Sequence, residues 1–314
     1  VSVALAWALF ALVLFELGHL RDIRQLRLQA YAGFIASFVR IFFVNLAAPN
    51  RLTTVVPLVL IYFFAYAQMK VSEKEDDSPW SIDVVLAYIG SLTVASLLYF
   101  QVSGGWIATS WAVLAFALLA AAVVLDREVF VHQALLLSIA TFSRGVMHNL
   151  FGASYFADGT WTGRYLELGS AASVMLASLP FAYRLKNKYP PAIHKSKFRK
   201  LLARASARPE QVMFFVPILL VTLMLALKMR AGMVTVAWGI EGVLVILLAL
   251  AVGERSFRLS GLILLLLCVG KILLVDAWRL APRDRYLTFI VLGLALLGVS
   301  FLYSKYRETV RQFL

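Results

Sequence analysis

The chain has 314 residues, 61% of them hydrophobic and 15% charged, with a mean hydropathy of +0.83 and a formal net charge of +13. A soluble domain carries about 25% charged residues, so this composition excludes one and predicts a polytopic membrane protein. The lone cysteine, Cys268, excludes disulfide frameworks, CxxC redox chemistry and cysteine-rich metal sites.

Runs of spanning length, bounded by charge, Gly or Pro, predict an all-α bundle of eleven transmembrane helices near 3–18, 28–46, 52–68, 82–100, 106–124, 130–151, 165–184, 211–228, 234–252, 258–275 and 284–303. The chain opens on Val1 in an apolar run with no charged leader. That argues against a signal peptide and leads us to expect a preceding portion. The odd-numbered links and the C-terminus hold twenty Lys and Arg residues, the even-numbered links seven, and the spans the other three. Because positive charge is retained on the cytoplasmic side, the expected topology places Val1 outward and the C-terminus in the cytoplasm. Orientation therefore accounts for the net charge, and no nucleic-acid partner is expected. The basic link 185–209 contains a stretch, Lys195 to Arg208, that has the make-up of a short interfacial helix on anionic lipid. The acidic run Glu73, Glu75, Asp76, Asp77 reads as a solvated cytoplasmic turn.

One spaced pattern occurs three times: a tryptophan, a basic residue 33 positions later, and Asn or Asp five further on. Its instances are Trp7, Arg40, Asn45; Trp111, Arg144, Asn149; and Trp238, Lys271, Asp276. Three residues before each basic group stands a small polarisable residue, Ser37, Thr141 or Cys268, on the same helical face. The spacing predicts three parallel repeat units of four, four and three helices, over residues 1–105, 106–233 and 234–314. Parallel units differ from the inverted repeats common in secondary transporters.

Each basic residue falls well inside an apolar span, where an ionisable group is costly and marks a pairing or functional site. At about 1.5 Å per residue it lies about 8 Å below the outer end of its helix, at the depth of its tryptophan. Two readings follow. Trp7, Trp111 and Trp238 lock helix pairs by cation–π contact, with the basic side chains snorkelling outward. Alternatively Arg40, Arg144 and Lys271, with Asn45 and Asn149, bind an anion such as a lipid phosphate or an acidic sugar. Glu241 and Asp276 lie near the depth of Lys271 and are expected to neutralise it, while Glu167 is placed to pair with one of the arginines.

His148, one turn after Arg144, is a weak candidate for acyl-transfer catalysis, since a single membrane histidine is usually a hydrogen-bonded structural group. His19, His132 and His194 show no metal-ligand spacing, there is no Walker, GxGxxG, GxSxG or HExxH motif, and neither metal nor cofactor is expected. Gly104 and Gly105 before Trp106 read as an outer turn with an interfacial aromatic.

The stretch from Glu254 to Arg307 resembles a bacterial family of large predicted membrane proteins with a domain of unknown function. The likeness is carried by Arg258, Gly261, Leu262, Lys271, Asp276, Arg285, Ser300, Leu302 and Tyr303. The resemblance implies a cytoplasmic, coiled-coil-prone region and further spans in family members, and it supplies no activity. The expected function is that of a non-enzymatic envelope component. It would scaffold a complex of membrane subunits or of its own copies, or bind anionic lipid or glycan at the outer leaflet. The alternatives are a transporter of an anionic or lipidic substrate and a membrane-embedded acyl or glycosyl transferase.

Overall fold

A computed structural model describes residues 2–46, 51–72, 82–152, 161–189, 197–229, 231–276 and 282–305. The described residues are all-α, with no strand among them. The helices are α1 (Ser2–Leu20), α2 (Arg24–Arg40), α3 (Arg51–Ser72), α4 (Ile82–Gln101), α5 (Ile107–Leu125) and α6 (Glu128–Arg144). There follow α7 (Trp161–Ala177), α8 (Leu179–Leu185), α9 (Lys197–Ala207), α10 (Pro209–Lys228), α11 (Ala231–Val252), α12 (Arg255–Lys271) and α13 (Pro282–Lys305).

Nine described segments are long and apolar enough to cross a membrane, and two shorter apolar stretches, Arg51–Ala67 and Thr288–Phe301, coincide with the third and eleventh spans expected from the sequence. Gly163–Leu185 counts as one of the nine although it is broken at Ser178. The break has a local cause: Pro180 stands in the first turn of α8, and the Ser178 hydroxyl turns back onto the Met175 carbonyl at 2.6 Å.

The chain divides into two compact units, Val1–Asp158 with Leu166–Pro217, and Gly159–Tyr165 with Ile218–Leu314. The first unit packs Phe15, Phe34 and Tyr62 edge to face, at centroid separations of 6.5 and 6.0 Å. Around them lie Ala4, Ala8, Ala11, Val55 and Leu58, all fully buried. The second unit has a smaller core of Ile246, Leu265, Cys268, Ile272 and Leu292.

Three helix hairpins dominate the packing: α1 with α2, α5 with α6, and α11 with α12. Each turns through one residue of positive φ, Asp22 (50°), Asp126 (53°) and Gly253 (80°), and each of these lies 15 positions after its tryptophan. The second helix of every hairpin has 17 residues, ends on the basic residue of the motif, and continues into a π-helical segment: Ile41–Asn45, Gly145–Leu150 and Ile272–Asp276.

Lipid tails are as apolar as leucine, so these pairs are held by close packing rather than by expulsion of water. The seams are accordingly laid with small residues at matching offsets. Ala8, Ala112 and Gly239 follow the tryptophans by one position, and Ala11, Ala115 and Gly242 by four. Ala30, Ala134 and Gly261 lie opposite, and all nine are buried. At Gly33 an added Cβ would meet the Ala11 Cβ at 2.8 Å, and at Gly261 it would meet Ile246 Cγ1 at 2.6 Å, so neither position takes a side chain without separating its helices.

Candidate functional site

The cations of the motif share a place in their hairpins. Each closes 17 residues of helix, about 26 Å from the turn, which spans most of a hydrocarbon core about 30 Å thick. The π-helical segment that follows explains the spacing of five. When a helical turn closes after the fifth residue instead of the fourth, the residue at plus five returns to the face of the cation. Leu46 N–H bonds Ile41 O and Phe151 N–H bonds Val146 O, both at 3.0 Å, in this wider pattern. Ser37, Thr141 and Cys268, three residues before the cations, are fully buried in the seams. The Ser37 hydroxyl donates to Phe34 O at 2.7 Å and shares a 2.7 Å hydrogen bond with the Tyr62 hydroxyl.

Around Arg144 the environment is the most built. Its Cζ lies 5.5 Å from the Tyr99 ring centroid, its Nη2 donates to Gly104 O at 3.3 Å, and its Nε is buried without a hydrogen-bond partner. Asn149 donates from Nδ2 to Gly105 O and to Glu167 Oε2, both at 2.9 Å, while its Oδ1 is buried and unpartnered. Glu167 thus enters the cluster through Asn149. Its helix is tied down by Thr109, whose hydroxyl donates to Glu167 O at 2.7 Å and contacts Ser170 Oγ at 3.0 Å. The His148 imidazole lies against Gly104, where an added Cβ would sit 2.9 Å from its Nε2. Trp111 is the support beneath this platform: it stacks on Tyr99 at 6.3 Å, and its Nε1 donates to Ala95 O at 2.9 Å.

The other two hairpins vary the arrangement. Arg40 Cζ stands 5.5 Å from the Trp7 ring centroid, so here the tryptophan itself is the aromatic platform. Asn45 is buried, with Oδ1 unpartnered as in Asn149. Lys271 Nζ donates to Thr235 Oγ1 at 2.7 Å, and Trp238 Nε1 donates to Thr222 O at 3.1 Å. Glu241 accepts from Thr222 Oγ1 at 2.8 Å. The side chain of Asp276 lies outside the described residues.

Tyr99, Thr235 and the Gly104 and Gly105 carbonyls are contributors that the motif did not single out. Gly104 and Gly105 carry a faint signal, a pair of glycines in a short link directly before a tryptophan-bearing helix. Tyr99 carries none, because the corresponding position before Trp238 is Ala226. No group of three His, Cys, Asp or Glu side chains that could hold a metal occurs among the described residues.

Residues 50–306, more than three quarters of the chain, match the family described as Predicted membrane protein (DUF2339). The chain belongs to this family. The resemblance first seen in the C-terminal stretch therefore extends through the Arg144 cluster and both later hairpins of this DUF2339 protein. No curated protein and no solved structure matches it.

Proposed function

We propose that this DUF2339 protein is a non-enzymatic component of the bacterial inner membrane, built from three parallel hairpin-centred repeats. In this reading it holds an anionic lipid or glycan headgroup at the outer leaflet through Arg144 and Arg40. The repeat reading is supported by register: tryptophan, positive-φ turn residue, basic residue and π-helical segment recur at unchanged offsets. The repeats are defined by that register and the two compact units by packing, so their boundaries differ.

The observation that carries the binding reading is the pairing of two unmet needs at one site. Arg144 offers a positive charge and a buried, unpartnered Nε–H. Asn149 offers a buried, unpartnered carbonyl oxygen. A headgroup that brings a phosphate or carboxylate oxygen to the first and a hydroxyl to the second satisfies both. An acyl chain alone satisfies neither. Partner subunits or further copies of the chain are part of the same proposal, since a headgroup held between helices is a natural bridge to a neighbour.

Native mass spectrometry of the protein purified in mild detergent tests the reading. Arg144→Ala and Arg40→Ala should each lower the amount of retained phosphatidylglycerol relative to phosphatidylethanolamine, Arg144→Ala the more. Lipid content unchanged in both variants would overturn it.

A further inference from the structure

Two arginines meet at the C-terminal end of α4, and the binding reading uses only one of them. Arg51 opens α3, and its Nη1 donates to Phe100 O in the last turn of α4. Arg144, at the end of α6, stands over the ring of Tyr99 and donates to Gly104 O. The two guanidiniums thus grip one short stretch, residues 99–104, from two different helices of the first compact unit. Neighbouring segments meet at the same end, with Ile41–Asn45 packed on α3 and α4 and Gly104–Trp106 packed on Gly145–Leu150.

The two arginines share an unmet need. Arg51, like Arg144, has a buried Nε without a hydrogen-bond partner, and neither forms an ion pair with a described residue. Arg27, at the turn of the first hairpin, has its carboxylate in Asp22 at 3.1 Å. With Nη1 spent on Phe100 O, Arg51 keeps the fork of Nε and Nη2, the geometry that takes a phosphate in a bidentate manner. Between the two arginines the stretch exposes the polar side chains of Gln101 and Ser103. Asn149, which bonds Gly105 O through Nδ2, keeps a buried Oδ1 without a partner.

We infer that Arg51 and Arg144 together hold a lipid headgroup of two phosphates joined by a glycerol, the chemistry of cardiolipin, with one phosphate on each guanidinium and the bridging hydroxyl on Asn149 Oδ1. Two uncompensated cations on one short stretch repel each other, and a single phosphate answers only one of them. Phosphatidylglycerol therefore satisfies the Arg144 side and leaves Arg51 unmet. The anchoring carbonyls favour separated phosphates. Phe100 O still belongs to the helix, whereas Ser103 takes an extended backbone (φ −59°, ψ 146°) that carries Gly104 O out of the helical path. A single phosphate bearing two charges fits that spacing poorly. The inference deepens the reading of Arg144 as a headgroup site and rests on it.

The test titrates delipidated protein in mild detergent with cardiolipin, phosphatidylglycerol or phosphatidic acid and reads the bound lipid by native mass spectrometry. Cardiolipin should bind about tenfold more tightly than the other two, the scale of one further charge-assisted pair. Arg51→Gln keeps a donor for Phe100 O and removes the charge. It should bring cardiolipin down to the phosphatidylglycerol level and leave phosphatidylglycerol binding unchanged, which also shows that the variant is folded. Equal binding of cardiolipin and phosphatidylglycerol by the wild-type protein would overturn the inference without any variant. So would phosphatidic acid matching cardiolipin, or a cardiolipin preference that survives Arg51→Gln. Arg144→Ala should weaken both glycerol-bearing lipids. If it does so while Arg51→Gln leaves cardiolipin untouched, the headgroup site stands and its second phosphate falls. If Arg144→Ala weakens neither lipid, the site itself falls.

Discussion

Trp111 and Trp238 show what a tryptophan does in these hairpins: each anchors a preceding helix through its indole N–H, whereas Trp7 carries a guanidinium on its face. Replacement by Phe keeps a ring and removes the donor, so Trp111→Phe and Trp238→Phe should each cost about 1 kcal/mol. Trp7→Phe in the purified protein should cost less. Reversible unfolding in mixed micelles measures all three, and equal losses would contradict the assignment. Gly104→Ala should act on binding more than on stability. Its Cβ would press on the His148 Nε2 at 2.9 Å while only touching the Arg144 Nη2 at 3.8 Å, so the shifted imidazole is what would crowd the guanidinium against its carbonyl. Phosphatidylglycerol retention should fall towards the Arg144→Ala level with little change in the unfolding midpoint. The cations and asparagines of this site were legible in the sequence because an ionisable group inside an apolar run stands out, and threefold recurrence fixed the spacing. The acceptors were not legible, since Gly104, Gly105, Ala95 and Thr222 contribute main-chain oxygens that every residue possesses.

At the scale of the helix, the feature hidden from the sequence was the π-helical segment, although the offset of five from basic residue to Asn or Asp was its trace. Such a segment is an α-helix carrying one extra residue, so it can be removed without rotating what lies beyond it. Deleting Met147, which is 75% exposed within Gly145–Leu150, should restore a regular turn and leave Asn149 facing Gly105. Deleting Ile139, exposed in the regular part of α6, should rotate everything after it by about 100° and tear Thr141, Arg144 and Asn149 from their partners. Size-exclusion profiles should show a folded protein in the first case and aggregation in the second. The seams impose a stricter limit. Gly261→Ala should destabilise by about 1–3 kcal/mol, because its Cβ would lie within 3.0 Å of both the Ile246 side chain and the Gly242 carbonyl of α11, and α11 and α12 cannot part without opening the hairpin. Span boundaries were legible to within a few residues from hydropathy alone. The break at Ser178 was hidden because the apolar run continues straight through it.

At the scale of the whole molecule, three parallel repeats of one orientation require the three positive-φ turns to lie on the same side of the membrane. Contacts within the first unit already join links of equal parity. Lys188 Nζ reaches Asp126 Oδ1 at 2.8 Å, and the Tyr189 hydroxyl donates to the same oxygen at 3.0 Å, bringing the basic link to the turn of the second hairpin. Burial, and then the hydrogen bond to Asp126, push the Tyr189 phenol well above its ordinary range, so it remains a donor at any physiological pH. On the other side, Arg51 Nη1 donates to Phe100 O, joining the links that open α3 and close α4. In the proposed orientation the turns and the basic link, which carry about half of the Lys and Arg residues, face the cytoplasm. Cys268 is buried and conveniently the only cysteine, so Cys268→Ser provides a silent background. In that background, single cysteines replacing Asp22, Arg127 and Arg255 should be labelled by a membrane-impermeant maleimide only in inside-out vesicles, and one replacing Ser103 only in intact spheroplasts. Labelling of the three turns from different sides would break the parallel arrangement. Labelling of all three from outside would keep the repeats and invert the protein, moving the Arg40, Arg144 and Lys271 level to the inner leaflet.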